Sequence, residues 1–248
     1  MTGTVYLVGA GPGAVDLLTL RAARLLAEAD VVLHDALVSA DVLALAKNAK
    51  LYNVGKRANR PSVDQRFICR LLVRMGLRHK VVVRLKGGDP HLFGRASEEI
   101  QACRAAGIPV STVPGISAGF AAASALGVSL TARGVSRSVT FVTPAKGRGE
   151  QENAHWAEAA AAAETAVIYM GAAEAVRVRD ALLARGALAQ RPVALIESAT
   201  WAEQKVISGV LADLPALASQ LGEGPALMIV GDVAASAQHV LEVAEAAA

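Results

Sequence analysis

The chain has 248 residues, 53% of them hydrophobic and 19% charged, with a formal net charge of +3 at pH 7. A chain of this length and apolar share can bury a large core in one or two domains, which excludes a disordered polar chain. Charges interrupt every apolar stretch well before the roughly 20 residues that a bilayer-spanning helix needs. No basic block marks a nucleic-acid tail, so neither a membrane nor a nucleic acid is an expected partner. The N-terminus enters a strand at once, without the basic and apolar regions of a secretory leader. The two cysteines, Cys69 and Cys103, fall in separate helical patterns and read as buried free thiols. A reducing cytoplasm is the expected location. The five histidines show no metal-ligand spacing, and no metal is expected.

In chain order, residues 5–8 (VYLV) form an apolar strand that runs into Gly9-Ala10-Gly11-Pro12-Gly13-Ala14. This run fits a G-x-G-x-x-A dinucleotide fingerprint, so a nicotinamide site is one reading. Two features weaken it. Pro12 removes an N–H where a pyrophosphate would need one. Residues 14–19 do not open a helix; the first helix starts near Thr19, a good N-cap, and runs to residue 28. Residues 31–34 (VVLH) are the second strand, ending at Asp35. A carboxylate there is a candidate acid/base group, and equally a cap for the helical pattern over 41–47. Residues 51–54 form a third strand, ending in Gly55-Lys56-Arg57, with Arg60 beyond and a helix over 63–75.

Residues 81–85 (VVVRL) read as a buried parallel strand. Lys86-Gly87-Gly88-Asp89-Pro90 breaks it, and ligands in open α/β sheets bind outside such carboxyl ends. Two glycines permit close backbone approach to a ligand, and Asp89 adds a negative charge. Gly87-Gly88-Asp89-Pro90 also makes an ordinary turn. A helix over 96–106 follows, with Glu98 and Glu99 favourable to its dipole. A strand over 108–113 then leads to Pro114-Gly115-Ile116-Ser117-Ala118 and a small-residue helix ending near 126.

Strand–helix alternation to this point predicts a parallel sheet. Residues 127–137 read as a connection. Beyond them lie strands over 139–142, 166–169, 193–197, 205–208 and 226–230, with helices over 154–163, 172–185 and 211–221. Two adjacent strands without a helix between them predict a mixed sheet. The expected fold is therefore two α/β domains, residues 1–130 and 138–248, facing each other across a cleft that would take a small molecule.

Several of these motifs occur together. RLKGGDPHLFGR at residues 84–95 resembles the RLKGGDP-x-x-FGR signature of the uroporphyrinogen-III C-methyltransferases, within the tetrapyrrole methylase family. GAGPG at 9–13, HDALV at 34–38, GKR at 55–57, PGIS at 114–117 and YMG at 169–171 follow the family in the same order. The resemblance implies a homodimeric enzyme that uses S-adenosylmethionine, without a metal, to methylate uroporphyrinogen III at C2 and C7. The product would be precorrin-2, on the route to sirohaem or cobalamin.

The resemblance makes Asp35 the proton acceptor and Lys56 the proton donor, and Arg95 is the guanidinium favoured for orienting a carboxylate-rich substrate. Its cofactor contacts fall on Pro12, Gly87, Gly88, Asp89, Leu92, Ser117, Ala118, Met170 and Ala199, with Pro225 and Ala226 on the adenine side. The chain departs from the family at Ala132 and Ala145, where histidines are usual, and at Ala96-Ser97 after FGR. A sibling methylase, a nicotinamide oxidoreductase and a non-catalytic tetrapyrrole binder are the competing readings. No segment corresponds to a dehydrogenase–chelatase module, so the chemistry is expected to stop at precorrin-2.

Overall fold

The structure is a computed structural model and describes residues 2–55, 64–145 and 154–237. The chain divides into two compact units, Met1–Ala118 and Gly119–Ala248. The division falls at the head of a helix, ahead of the 127–137 stretch that reads as a connection in the sequence.

The first unit holds β1 (Thr4–Gly9), α1 (Leu20–Glu28), β2 (Val31–His34), α2 (Ala40–Leu43), β3 (Lys50–Asn53), α3 (Gln65–Gly76), β4 (Val81–Lys86), α4 (Ala96–Ala105) and β5 (Val110–Val113). Its five strands are all parallel in the order β3-β2-β4-β1-β5. The inner strands β1, β2 and β4 are largely buried and too apolar to face water on either side, whereas the edge strand β3 is exposed throughout. On one face Val8, Val32, Val83 and Leu85 pack with Leu25 and Leu26 of α1. On the other, Val5, Leu7, Val31, Leu33 and Val82 pack with Leu72 and Met75 of α3 and with Cys103 of α4. Thr19 caps α1, its hydroxyl accepting from the Ala22 N–H at 3.1 Å. Between β1 and α1 lies a loop with a single 3₁₀ turn, Val15–Leu17. Beyond β2, α2 is one turn long and is capped by Ser39 rather than Asp35.

The second unit continues from α5 (Ala118–Ala125), whose first residue closes the first unit. It holds β6 (Val139–Val142), α6 (His155–Ala162), β7 (Thr165–Tyr169), α7 (Ala175–Leu183), β8 (Pro192–Glu197), β9 (Lys205–Val210), α8 (Leu214–Ala218) and β10 (Ala226–Val230). The strand order is β6-β7-β10-β8-β9. Only β6 and β7 pair in parallel; β10 runs antiparallel to both its neighbours, and β8 and β9 form a hairpin-like pair. This is the mixed sheet expected from two strands without a helix between them. The helical stretches over 172–185 and 211–221 each begin as 3₁₀ turns, and in the second Pro215, lacking an N–H, keeps the α-helix from reaching back into the turn.

Among the described residues no helix is long and apolar enough to cross a membrane. Both cysteines are free, Cys103 buried and Cys69 half-buried. Burial pushes the Cys103 thiol up from 9.0 to about 11, with the Cys69 and Glu99 charges adding to the effect. An unfolded thiol loses its proton near 9.0, whereas the folded one keeps it to about 11. Stability is therefore lost as pH rises through that window, by at most about 1.4 kcal/mol per pH unit. In urea titrations, Cys103→Ala is expected to cost stability at neutral pH, and the gap to wild type should narrow as pH climbs from 9 towards 11. A gap independent of pH would contradict the burial assignment.

Candidate active site

The carboxyl ends of β1, β4 and β5 carry glycine loops that touch one another. Gly11 and Gly88 form a two-way backbone bridge: the Gly88 N–H donates to the Gly11 carbonyl at 2.7 Å, and the Gly11 N–H donates back at 3.3 Å. Gly88 holds φ +66°, a conformation glycine adopts without the steric cost a side chain incurs. A Cβ on Gly9 would lie 2.6 Å from Gly115 Cα and 2.7 Å from the Gly88 carbonyl oxygen. A Cβ on Gly115 would overlap that same carbonyl oxygen. Three strand ends thus meet with no space for a side chain between them.

Asp89 locks the arrangement. Its Oδ2 accepts from the Gly115 N–H at 3.0 Å, and its Oδ1 from the His91 N–H at 2.8 Å. The carboxylate read from the sequence as a charge offered to a ligand is therefore also the clamp between the β4 and β5 loops. The segment after it is strained, with Phe93 and Arg95 both in the left-handed region at φ 55° and 56°. Non-glycine residues held this way concentrate where a loop has been shaped for a site.

Beneath these loops lies a chain of buried charges. Side chains alternate along a strand, so Val83 and Leu85 face α1 while Val82, Arg84 and Lys86 face α3 and α4. Arg84 and Lys86 are 2% and 3% exposed, and Glu99 of α4 is fully buried against them. Glu99 Oε1 accepts from Arg84 Nε at 3.1 Å, and both its oxygens accept from Lys86 Nζ at 3.2 Å. Gln65 of α3 adds a third donor at 3.1 Å. At the other end of the guanidinium, Arg84 Nη2 donates to Asp35 Oδ1 at 2.5 Å. The order is Asp35, Arg84, Glu99, Lys86, with signs alternating. Burial, and next the neighbouring Arg84 charge, lower the Lys86 pKa from its ordinary value.

Asp35 thus sits at the end of β2 as the sequence indicates, with its side chain 28% exposed and bound to a buried cation rather than capping a helix. Lys56, with Arg57 and Arg60, lies outside the described residues. Arg95 is exposed and engaged bidentately with Glu98, at 2.7 and 2.8 Å. Pro12, Gly87 and Leu92 are half-buried on the β1 and β4 loops, and Ser117 is buried beside half-buried Ala118, after β5.

In the second unit, Met170 and Ala199 follow β7 and β8. Pro225 and Ala226 open β10, which runs antiparallel and so brings them to the same sheet end. Ser198 donates its N–H to the Pro225 carbonyl at 2.8 Å. The buried Glu197 carboxylate accepts from the N–H groups of Gly222 and Gly224 at 2.9 and 2.7 Å, fixing the loop before Pro225. Met170, Ser198 and Thr200 all have positive φ, and Met170 is half exposed.

The sequence reading gave no site role to Arg84, Glu99 or Glu197. A signal existed for the first: an arginine between Val83 and Leu85 of a doubly covered strand must find a buried anion. Nothing local marked Glu99 as that anion, because Glu98 beside it is exposed and looks the same in sequence.

A five-stranded parallel sheet with convergent glycine loops, joined to a mixed sheet with strained strand ends, defines an α/β enzyme of the methylase kind. The family described as Tetrapyrrole (Corrin/Porphyrin) Methylases matches residues 4–215. The chain is 46% identical over 237 residues to a siroheme synthase of Tolumonas auensis, covering 95% of this chain and 50% of that one. It thus spans about half the length of the curated relatives it matches. Among solved structures, a Thermus thermophilus uroporphyrin-III C-methyltransferase complexed with S-adenyl homocysteine has a TM-score of 0.81 at 38% identity, covering 93% of this chain and 98% of that one. A cobalt precorrin-4 methyltransferase has a TM-score of 0.80 at 28% identity, over 92% and 94% of the two chains. The chain belongs to the tetrapyrrole methylases.

Gly115→Ala is expected to destabilise the first unit by about 1–3 kcal/mol, since the added methyl must displace backbone rather than a mobile side chain. A denaturant midpoint equal to that of wild type would contradict the close packing of the three loops.

Proposed function

We propose that this chain transfers the sulfonium methyl of S-adenosylmethionine to uroporphyrinogen III at C2 and C7, giving precorrin-2. The observation that carries the proposal is the β4 loop: Gly87-Gly88-Asp89 is clamped to the β1 and β5 loops in a shape only glycine backbones allow. The Thermus relative, similar over nearly its whole length, was solved with the demethylated donor. The name of the siroheme synthases supports the substrate class.

Glycine and small residues at Pro12, Gly87, Gly88, Ser117 and Ala118 suit a ligand held through backbone groups, with Leu92 as an apolar wall. Met170, Ala199, Pro225 and Ala226 are the second unit's candidates for the same ligand. When bound, S-adenosylmethionine supplies an electrophilic methyl for in-line displacement. The chain's own work is then alignment and exclusion of water, from which effective molarities of about 10⁵ M and above are available. Asp35 takes the proton lost from the macrocycle after methylation, and Lys56 is its complementary donor. Arg95 releases Glu98, an exposed pairing of small worth, to fork onto a substrate carboxylate. We assign the enzyme to the cytoplasm as a homodimer, feeding sirohaem or cobalamin formation.

Nicotinamide binding at Gly9–Ala14 is not favoured. The helix α1 begins only at Leu20, too far along to present its N-terminus to a pyrophosphate in that turn.

Anaerobic incubation with uroporphyrinogen III and methyl-labelled S-adenosylmethionine is expected to place two labels on each macrocycle. One label would limit the activity to the first transfer. None, with S-adenosylmethionine bound, would redirect the substrate to another tetrapyrrole. Arg95→Ala is expected to raise KM for uroporphyrinogen III more than it lowers kcat; unchanged KM would remove Arg95 from substrate binding.

A further inference from the structure

We propose that Glu99 is a positioning residue which, acting through Arg84, fixes the carboxylate of Asp35 for its proton transfer. The inference rests on the reading of Asp35 as proton acceptor. It arises from the way Arg84 is held. Its Nε is bound to Glu99 at 3.1 Å, and its Nη1 to the carbonyls of Leu85 and Leu33 at 3.1 and 3.5 Å. A guanidinium is planar and rigid, so those bonds fix the direction of Nη2 as well. Nη2 reaches Asp35 Oδ1. Rotating it away would break a buried bond to a carboxylate with no exposure at all.

The position of Asp35 at the end of this chain gives the arrangement its use. Arg84, Glu99 and Lys86 are shut off from water, and Asp35 is the member that reaches it. Arg84 occupies Oδ1, and among the described residues Oδ2 accepts no hydrogen bond. One oxygen is held and the other is open to a proton. Lys86 binds both Glu99 oxygens and so holds that carboxylate in place against Arg84. The Glu99 carboxylate therefore touches no reacting atom, yet determines where the reacting carboxylate stands.

A purely structural ion cluster would behave differently under a double-mutant cycle, because effects that act through one group do not add. Methyl transfer is measured for wild type, Asp35→Asn, Glu99→Gln and the double variant, each checked for folding by circular dichroism and for S-adenosylhomocysteine binding. Asp35→Asn is expected to lower the rate by ~10²-fold or more, as loss of a general base does. Glu99→Gln is expected to lower it by ~10-fold or more through loss of Arg84 orientation, with cofactor binding retained. In the Asp35→Asn background, Glu99→Gln should change the rate by less than about 2-fold.

Effects that multiply would overturn the positioning role while leaving Asp35 as the base. A wild-type rate for Asp35→Asn would overturn the base itself, and the positioning role with it. Should Glu99→Gln fail to fold because Lys86 is left without an anion, Glu99→Asp, which keeps the charge but shortens its reach to Arg84, takes its place in the cycle. That variant keeps a carboxylate for Lys86 and is read against the same outcomes.

Discussion

The site depends on the close approach of three backbone segments. Gly9, Gly88 and Gly115 end neighbouring strands and lie so near one another that a single methyl on Gly9 or Gly115 would meet backbone atoms. Such an approach exposes peptide groups that must be satisfied. The Gly11–Gly88 bridge and the Asp89 carboxylate do this. The consequence is a rim of backbone held fixed above the sheet.

The rim stands on a second constraint, the two-residue period of a strand. The alternation that buries Val83 and Leu85 under α1 sends Arg84 and Lys86 to the α3–α4 face, where water cannot reach them. Buried charges of this kind add little net stability compared with apolar packing, but removing one partner leaves the other exposed to a low-dielectric interior, typically at a cost of 3–5 kcal/mol. The cluster is therefore all-or-none. It ties α4 to β4 and β4 to the end of β2.

Much of this was legible in the sequence. Continuous apolar strands bounded by glycine gave the parallel sheet, Thr19 marked the start of α1, and the adjacent strands near 195 and 207 signalled the mixed second sheet. The strand-end positions of Asp35, Gly87 and Ser117 followed from the same pattern. What stayed hidden depends on tertiary partners. Asp89 reads as a turn residue until Gly115 is known to lie beside it. Glu99 reads as a helix-dipole residue until the face of β4 that it meets carries Arg84 and Lys86. The division at Ala118 falls within a smooth run of small residues, where composition changes too little to mark it.

The central claim is that the glycine loops of the first unit receive S-adenosylmethionine rather than a dinucleotide. A calorimetric titration of S-adenosylhomocysteine into the purified protein, repeated with NADH in the cell as competitor, tests it most directly. Saturable binding of S-adenosylhomocysteine that NADH leaves unchanged is the predicted result. Binding of NADH with no heat from S-adenosylhomocysteine would contradict the account.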